Sequence, residues 1–261
     1  MNAGDVNPGD EAPIKALRSW IDDHQAGLVA DAQSLLQINS VESDAAPNAP
    51  YGAGCREALD LALGWAEAEG LPTTDLEGHF GYATFGDRGP LVMAIGHLDV
   101  VPPGAGWTRP PFGAELHDGA IYARGASDDK GPSVAMWYAV RAIRAVAPDL
   151  PSRIRIGFGC DEESGFGCIS RYTATEEAPQ FAIAPDAGWP CYNAEKGICD
   201  LRVRVTMPED PVRLVSLRGG SRPNIVIGER NGARRGERSS AGPRRPCSVL
   251  RPEHFHRMGG R

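Results

Sequence analysis

The sequence predicts an α/β fold, an open mixed sheet with helices on both faces, from three observations. Short apolar runs of strand length alternate with longer amphipathic segments of helical period. Acidic residues and a His fall at the ends of the strand-like runs, where ligands sit in open α/β sheets. Beyond residue 197 the pattern changes to strict alternation, and from residue 227 no period survives.

Residues 11–39 have helical spacing, with Ile14, Leu17, Trp20 and Ile21 on a stripe that Leu28, Ala32, Leu35 and Leu36 continue. A Pro/Gly/Ala loop over 45–54 leads to a second helix over 56–69, with Gly70 and Pro72 as stop signals. Strands are expected over 78–85 and 91–96, joined by a turn at 86–89, and a hairpin around His117-Asp118-Gly119. A long apolar helix over 133–147 stops before Pro148. Strand 153–158, helix 165–175 and strand 181–184 follow. After Gly197, residues 199–207 alternate as an antiparallel strand does, with Leu201, Val203 and Val205 on one face. Residues 212–217 read as its partner or as a short helix. Three parts result: 1–197, 198–226, and a tail over 227–261 expected to be disordered, rich in Arg, Gly and Pro.

Charge divides the chain. The net charge is −7, yet residues 227–261 hold nine Arg against three acids, a balance of +6 that leaves −13 for residues 1–226. An acidic body excludes a nucleic-acid binder of the usual kind, which needs a basic face. No run reaches the roughly 18 apolar residues of a membrane span, so no membrane partner is expected. Met1 to Pro13 lacks the basic and apolar regions of an export signal, which predicts a cytoplasmic protein. The six cysteines form no Cys-x-x-Cys pair and read as reduced thiols.

The chemistry concentrates in four places: Gly96-His97-Leu98-Asp99, Ser127-Asp128-Asp129-Lys130-Gly131, Asp161-Glu162-Glu163-Ser164 and Pro185-Asp186-Ala187. A hydrolytic dinuclear centre needs a carboxylate between two cations, terminal nitrogen and oxygen ligands, and a base for the shared water. His97 suits a terminal ligand. Asp99, two residues on in a strand, points to the same side and can orient the imidazole. Asp128 sits in a Gly-flanked turn where a carboxylate can bridge. Glu162 and Glu163 are adjacent, so their side chains diverge: one can bind metal and the other act on water. Asp186 ends a strand as a further ligand. Taken singly, each motif reads more readily as a polar cap or a helix N-terminus than as a ligand. Their order and shared strand-end placement favour a site.

These segments, with Gly106-Trp107-Thr108-Arg109-Pro110-Pro111-Phe112 and Ala194-Glu195-Lys196-Gly197, resemble the co-catalytic zinc exopeptidases of the carboxypeptidase G, aminoacylase and carnosinase type, most closely the bacterial dipeptidase V branch. The likeness runs over about residues 12–226. It implies that His97 and Asp186 bind one metal, Asp128 bridges, Glu163 binds the other, and Glu162 is the general base. Asp99 would hold His97, and the Asp128–Asp129 peptide would be cis. The implied cofactors are two Zn²⁺, or Mn²⁺ or Co²⁺. The implied substrate is a dipeptide; the alternatives are an N-acyl-amino-acid deacylase, or a metal-binding remnant without turnover.

In that family a lid domain interrupts the catalytic sheet, and residues 198–226 resemble the beginning of such an α+β lid. From Ile227 the resemblance stops, which predicts either a reading-frame shift near codon 227 or a natural basic tail. Ligands are then present for one full metal site and part of the second, and little or no peptidase activity is expected. His254 and His256 lie in the tail, where no pattern positions them.

Overall fold

The computed structural model describes residues 11–188, 212–219 and 230–236, together with 191, 192, 194, 197, 199, 201 and 203–206. The chain divides into two units, Met1–Asn193 and Ala194–Arg261.

In the first unit the opening helical stripe is two helices, α1 (Glu11–Asp23) and α2 (Gln25–Leu36). They part at His24, whose ring stacks on Trp20 at 3.7 Å and whose Nδ1 donates to the Trp20 carbonyl at 2.7 Å. Helix α3 (Ala53–Ala68) buries Cys55, Ala58, Leu59, Ala62, Leu63 and Ala66, the three-and-four spacing of one helix face. Strands β1 (Thr73–Asp75), β2 (Phe80–Phe85) and β3 (Leu91–His97) follow. Next come β4 (Glu115–His117) and β5 (Ala120–Tyr122), the expected hairpin. Asp118 and Gly119 take positive φ at its tip (49° and 77°), as a two-residue turn between twisted strands requires. Helix α4 (Lys130–Val146) begins three residues earlier than its apolar pattern suggests, because Pro132 is tolerated in a first turn. Strand β6 (Arg153–Gly159), helix α5 (Gly167–Thr175) and strand β7 (Phe181–Ile183) complete the unit.

The sheet order is β1-β2-β6-β3-β7. Strands β2 and β3 follow one another in sequence but do not pair. Helix α4 carries the chain back so that β6 runs parallel to β3 and antiparallel to β2, between them. Strand β7 lies parallel to β3 on its other side. Alternation along β2 and β3 sorts the core by face. Ala83 and Ala94, with Ile154, Ile156 and Phe158 of β6, pack with α2, α3 and α4. Phe80, Tyr82 and Met93 pack with Cys168 and Tyr172 of α5 on the other face. The sheet is therefore mixed, open and covered by helices on both sides.

In the second unit β8 (Val212–Gly219) pairs antiparallel with β9 (Arg230–Gly236), with an irregularity between Leu214 and Ser216. This departs from the sequence expectation in two places. Residues 199–207 carry no strand at their described positions, where Leu201, Val203 and Val205 are exposed. Residues 230–236 form a strand where a segment without regular structure was expected, since backbone pairing needs no apolar period. His254 and His256, and most of 227–261, lie outside the described residues, as do Glu195 and Lys196. No described helix is long and apolar enough to cross a membrane. The described cysteines are free thiols, with Cys55, Cys160 and Cys168 buried.

Candidate metal centre

His97 ends β3 behind the buried residues Leu91, Met93 and Ala94, and is itself 3 % exposed. Its Nδ1 lies 2.9 Å from the Asp99 main-chain oxygen, an acceptor only, so Nδ1 carries the proton and donates. In the neutral ring that leaves the Nε2 lone pair for a ligand. Nε2 is buried without a hydrogen-bond partner and faces carboxylates: Asp128 Oδ1 at 3.2 Å, Asp186 Oδ2 at 3.5 Å and Glu162 Oε2 at 4.0 Å.

The Asp99 carboxylate, 2 % exposed, does more than flank the imidazole. Oδ1 is 3.4 Å from His97 Nδ1, while Oδ1 and Oδ2 accept the backbone N–H groups of Glu162 and Glu163 at 3.1 and 3.0 Å. One side chain thus ties the acidic turn to the end of β3. Within that turn the three acids divide. Asp161 accepts from Ser164 Oγ at 2.5 Å and from the Gly167 N–H at 2.8 Å, which secures the start of α5. Glu162 and Glu163 remain for the site. Two groups of potential ligands have donor atoms within 4.8 Å of one another: His97, Glu162 and Asp186, and His97, Asp128 and Glu163. All six residues read as a site from the sequence (His97, Asp99, Asp128, Glu162, Glu163, Asp186) therefore gather at one sheet end. The Asp128–Asp129 peptide is cis.

The electrostatics describe a negative pocket around one imidazole. Burial opposes charge on His97, but the Asp128 and Asp99 carboxylates outweigh it and raise its pKa to about 11. The same contact with His97 lowers the Asp128 pKa, against the desolvation that raises it. Desolvation raises Glu162 to about 7, with Asp186 and Glu163 adding to the rise against His97. Glu163 is raised as well, first by desolvation and then by Asp128. Carboxylates that stabilise an imidazolium so strongly also stabilise a cation in its place. This donor set of one imidazole nitrogen and hard oxygens fits zinc and its divalent neighbours.

Three supporting residues were not legible in the sequence. Asp129 is fully buried, accepting the His97 N–H and the Ser133 hydroxyl, both at 3.1 Å. Lys130 is fully buried, and desolvation lowers its pKa to about 8. Its ammonium donates to the Leu35 and Ile38 carbonyls at 3.0 and 2.7 Å, closing the end of α2. Ser40 donates to the Leu98 carbonyl at 2.5 Å and its own carbonyl accepts the Val100 N–H at 3.2 Å. The sequence showed Asp129 only as part of the turn that carries Asp128. Nothing in the sequence marked Lys130 as buried.

A buried imidazole and converging carboxylates at the end of an α/β sheet are the arrangement of a candidate cation-binding site. Residues 93–221 match the profile of peptidase family M20/M25/M40. "Putative dipeptidase YtjP" of Bacillus subtilis (strain 168) is 42 % identical over 205 residues, covering 76 % of this chain and 44 % of that protein. "Putative dipeptidase SH1171" of Staphylococcus haemolyticus (strain JCSC1435) is 38 % identical over 213 residues, 79 % of this chain and 45 % of its own length. The fold is similar to human carnosine dipeptidase 1 (TM-score 0.56, 24 % identity, 67 % of this chain and 42 % of that one). It is also similar to the Saccharomyces cerevisiae di-peptidase Dug1p (TM-score 0.51, 22 % identity, 59 % and 36 %). The chain belongs to the M20/M25/M40 peptidase family and spans less than half the length of these curated relatives. A divalent metal is the cofactor that family implies.

Proposed function

We propose that this chain carries the cation-holding part of a dipeptidase that hydrolyses the peptide bond of dipeptides with zinc, or with Mn²⁺ or Co²⁺. The observation that carries the reading is the buried, unpartnered Nε2 of His97 facing Asp128, Asp186 and Glu162. His97 and Asp186 would hold one cation, Asp128 would lie between two, and Glu163 would serve the second. A cation bound there polarises a carbonyl and acidifies water. Glu162, whose pKa desolvation raises to about 7 in the cation-free site, would be the base that takes a proton from the attacking water and returns it to the leaving amine. Asp99 sets the position of that base through the backbone of the acidic turn.

Both ligand groups draw on the single imidazole of His97, whose Nε2 can serve one ion. One tightly held cation per chain is therefore expected from the described residues, with a second held more weakly by carboxylates. Slow turnover follows, and a cation-binding role without turnover is the second reading this sharing favours. The test measures amino-acid release from a dipeptide panel and from N-acyl amino acids, by the protein loaded with Zn²⁺ or Mn²⁺. Dipeptide cleavage that Glu162→Gln abolishes is the expected result. Faster release from N-acyl amino acids would move the reading to a deacylase. Cation binding with no release from either class would leave the second reading.

A further inference from the structure

We infer that Asp129 is a positioning residue for the cation site: its carboxylate clamps the His97 backbone to Ser133 of α4 and so fixes where the imidazole meets Asp128. The inference rests on the cation-site reading above.

The clamp fills a gap in the sheet. The Leu98 N–H donates to Gly159 on the β6 side at 2.8 Å, so the His97 N–H points the other way. There β7 pairs only with Val92, Met93 and Ala94 and stops short of His97. Asp129 Oδ2 supplies the missing acceptor at 3.1 Å and holds the Ser133 hydroxyl at the same distance. The strand end that bears the imidazole is thereby locked to the turn that bears Asp128. Gly96 makes room for this. A Cβ there would stand 2.0 Å from Ser133 Oγ and 2.7 Å from Asp129 Oδ2, distances no side chain tolerates. The other oxygen, Oδ1, is buried with no hydrogen-bond partner, and Asp129 as a whole is fully buried. The clamp therefore acts through Oδ2 alone, one acceptor oxygen that an amide would also supply. Partners that orient a ligand's frame typically carry about 10- to 100-fold of metal affinity.

The experiment is a zinc titration by calorimetry of wild type, Asp129→Ala, Asp129→Asn and Ser133→Ala, with Tm recorded in the absence of metal. Asp129→Ala is expected to weaken zinc about 10- to 100-fold. Asp129→Asn keeps an acceptor for the His97 N–H and should stay within about threefold of wild type, with Tm unchanged or higher. Ser133→Ala should fall between them. Should Asp129→Ala not fold, Ser133→Ala and Asp129→Asn decide. Equal zinc affinity in wild type and Ser133→Ala would then overturn the clamp. Zinc affinity of Asp129→Ala equal to wild type would overturn it as well, as would Asp129→Asn being as weak as Asp129→Ala. Failure of wild type to bind zinc would instead refute the cation site itself.

Discussion

His97 and Asp99 stand on one side of the site at 3 % and 2 % exposure, while on the other the Asp128 and Asp186 side chains are 54 % and 34 % exposed. The first side is fixed by packing along β3, by the Asp99 and Asp129 hydrogen bonds, and by Lys130 and Ser40 behind it. The second is carried by a turn and by the end of a three-residue strand whose own residues are exposed. The difference teaches how such a site can be both selective and able to load. The buried imidazole would define one coordination direction, and the more exposed carboxylates would complete the site from the open side.

Four outcomes break or sharpen that contrast. The largest concerns chemistry rather than binding: Glu162→Gln should cut any dipeptide hydrolysis by about 10²- to 10⁴-fold and leave zinc affinity within a few-fold. Loss of zinc affinity on the same scale as loss of turnover would make Glu162 a ligand instead. Next, Asp99→Ala releases the backbone N–H groups of Glu162 and Glu163, and zinc should bind about 10- to 100-fold more weakly. An unchanged zinc isotherm would show that the buried side needs no such tie.

The third outcome is a pH dependence. A proton on His97 competes with the cation, and burial notwithstanding, the carboxylates raise the His97 pKa to about 11. Below that pKa the ring must release its proton to bind, so affinity should climb about tenfold per pH unit between pH 6.5 and 7.5 from this group alone. Calorimetry in buffers of different ionisation enthalpy reads the released proton, and zinc binding without proton release would contradict the assignment. The smallest effect is expected on the open side. Asp186→Asn retains an oxygen donor and should weaken zinc by about tenfold or less, and a larger loss would mean that this side is as rigid as the other.

Much of the site was legible because its residues recur at strand ends in a fixed order, and all six converge as that order implied. Most elements of the first unit were legible too, to within a few residues, since apolar period marks which face of α3 or β2 is buried, but the three-residue β1 and the break between α1 and α2 were not. Sheet order was not. Nothing in the 86–89 turn reveals that β6, some seventy residues later, inserts between β2 and β3. Long-range pairing depends on the α4 crossover and not on any local signal. The supporting polar residues were hidden for the same reason. Lys130 sits in a turn that reads as solvated, and only the folded chain brings the carbonyl ends of α2 onto it. Asp129 occupies the position of a helix cap, yet its side chain reaches across to His97. Alternation at 199–207 misled because a strand pattern carries no information on whether a partner is present.

The central claim is that His97 anchors a cation in this chain, and a side-by-side zinc titration of wild type and His97→Ala tests it most directly. The account predicts one tight zinc per wild-type chain and at least about a hundredfold weaker binding in His97→Ala. Equal affinity in the two proteins, or no zinc bound by wild type, would contradict it.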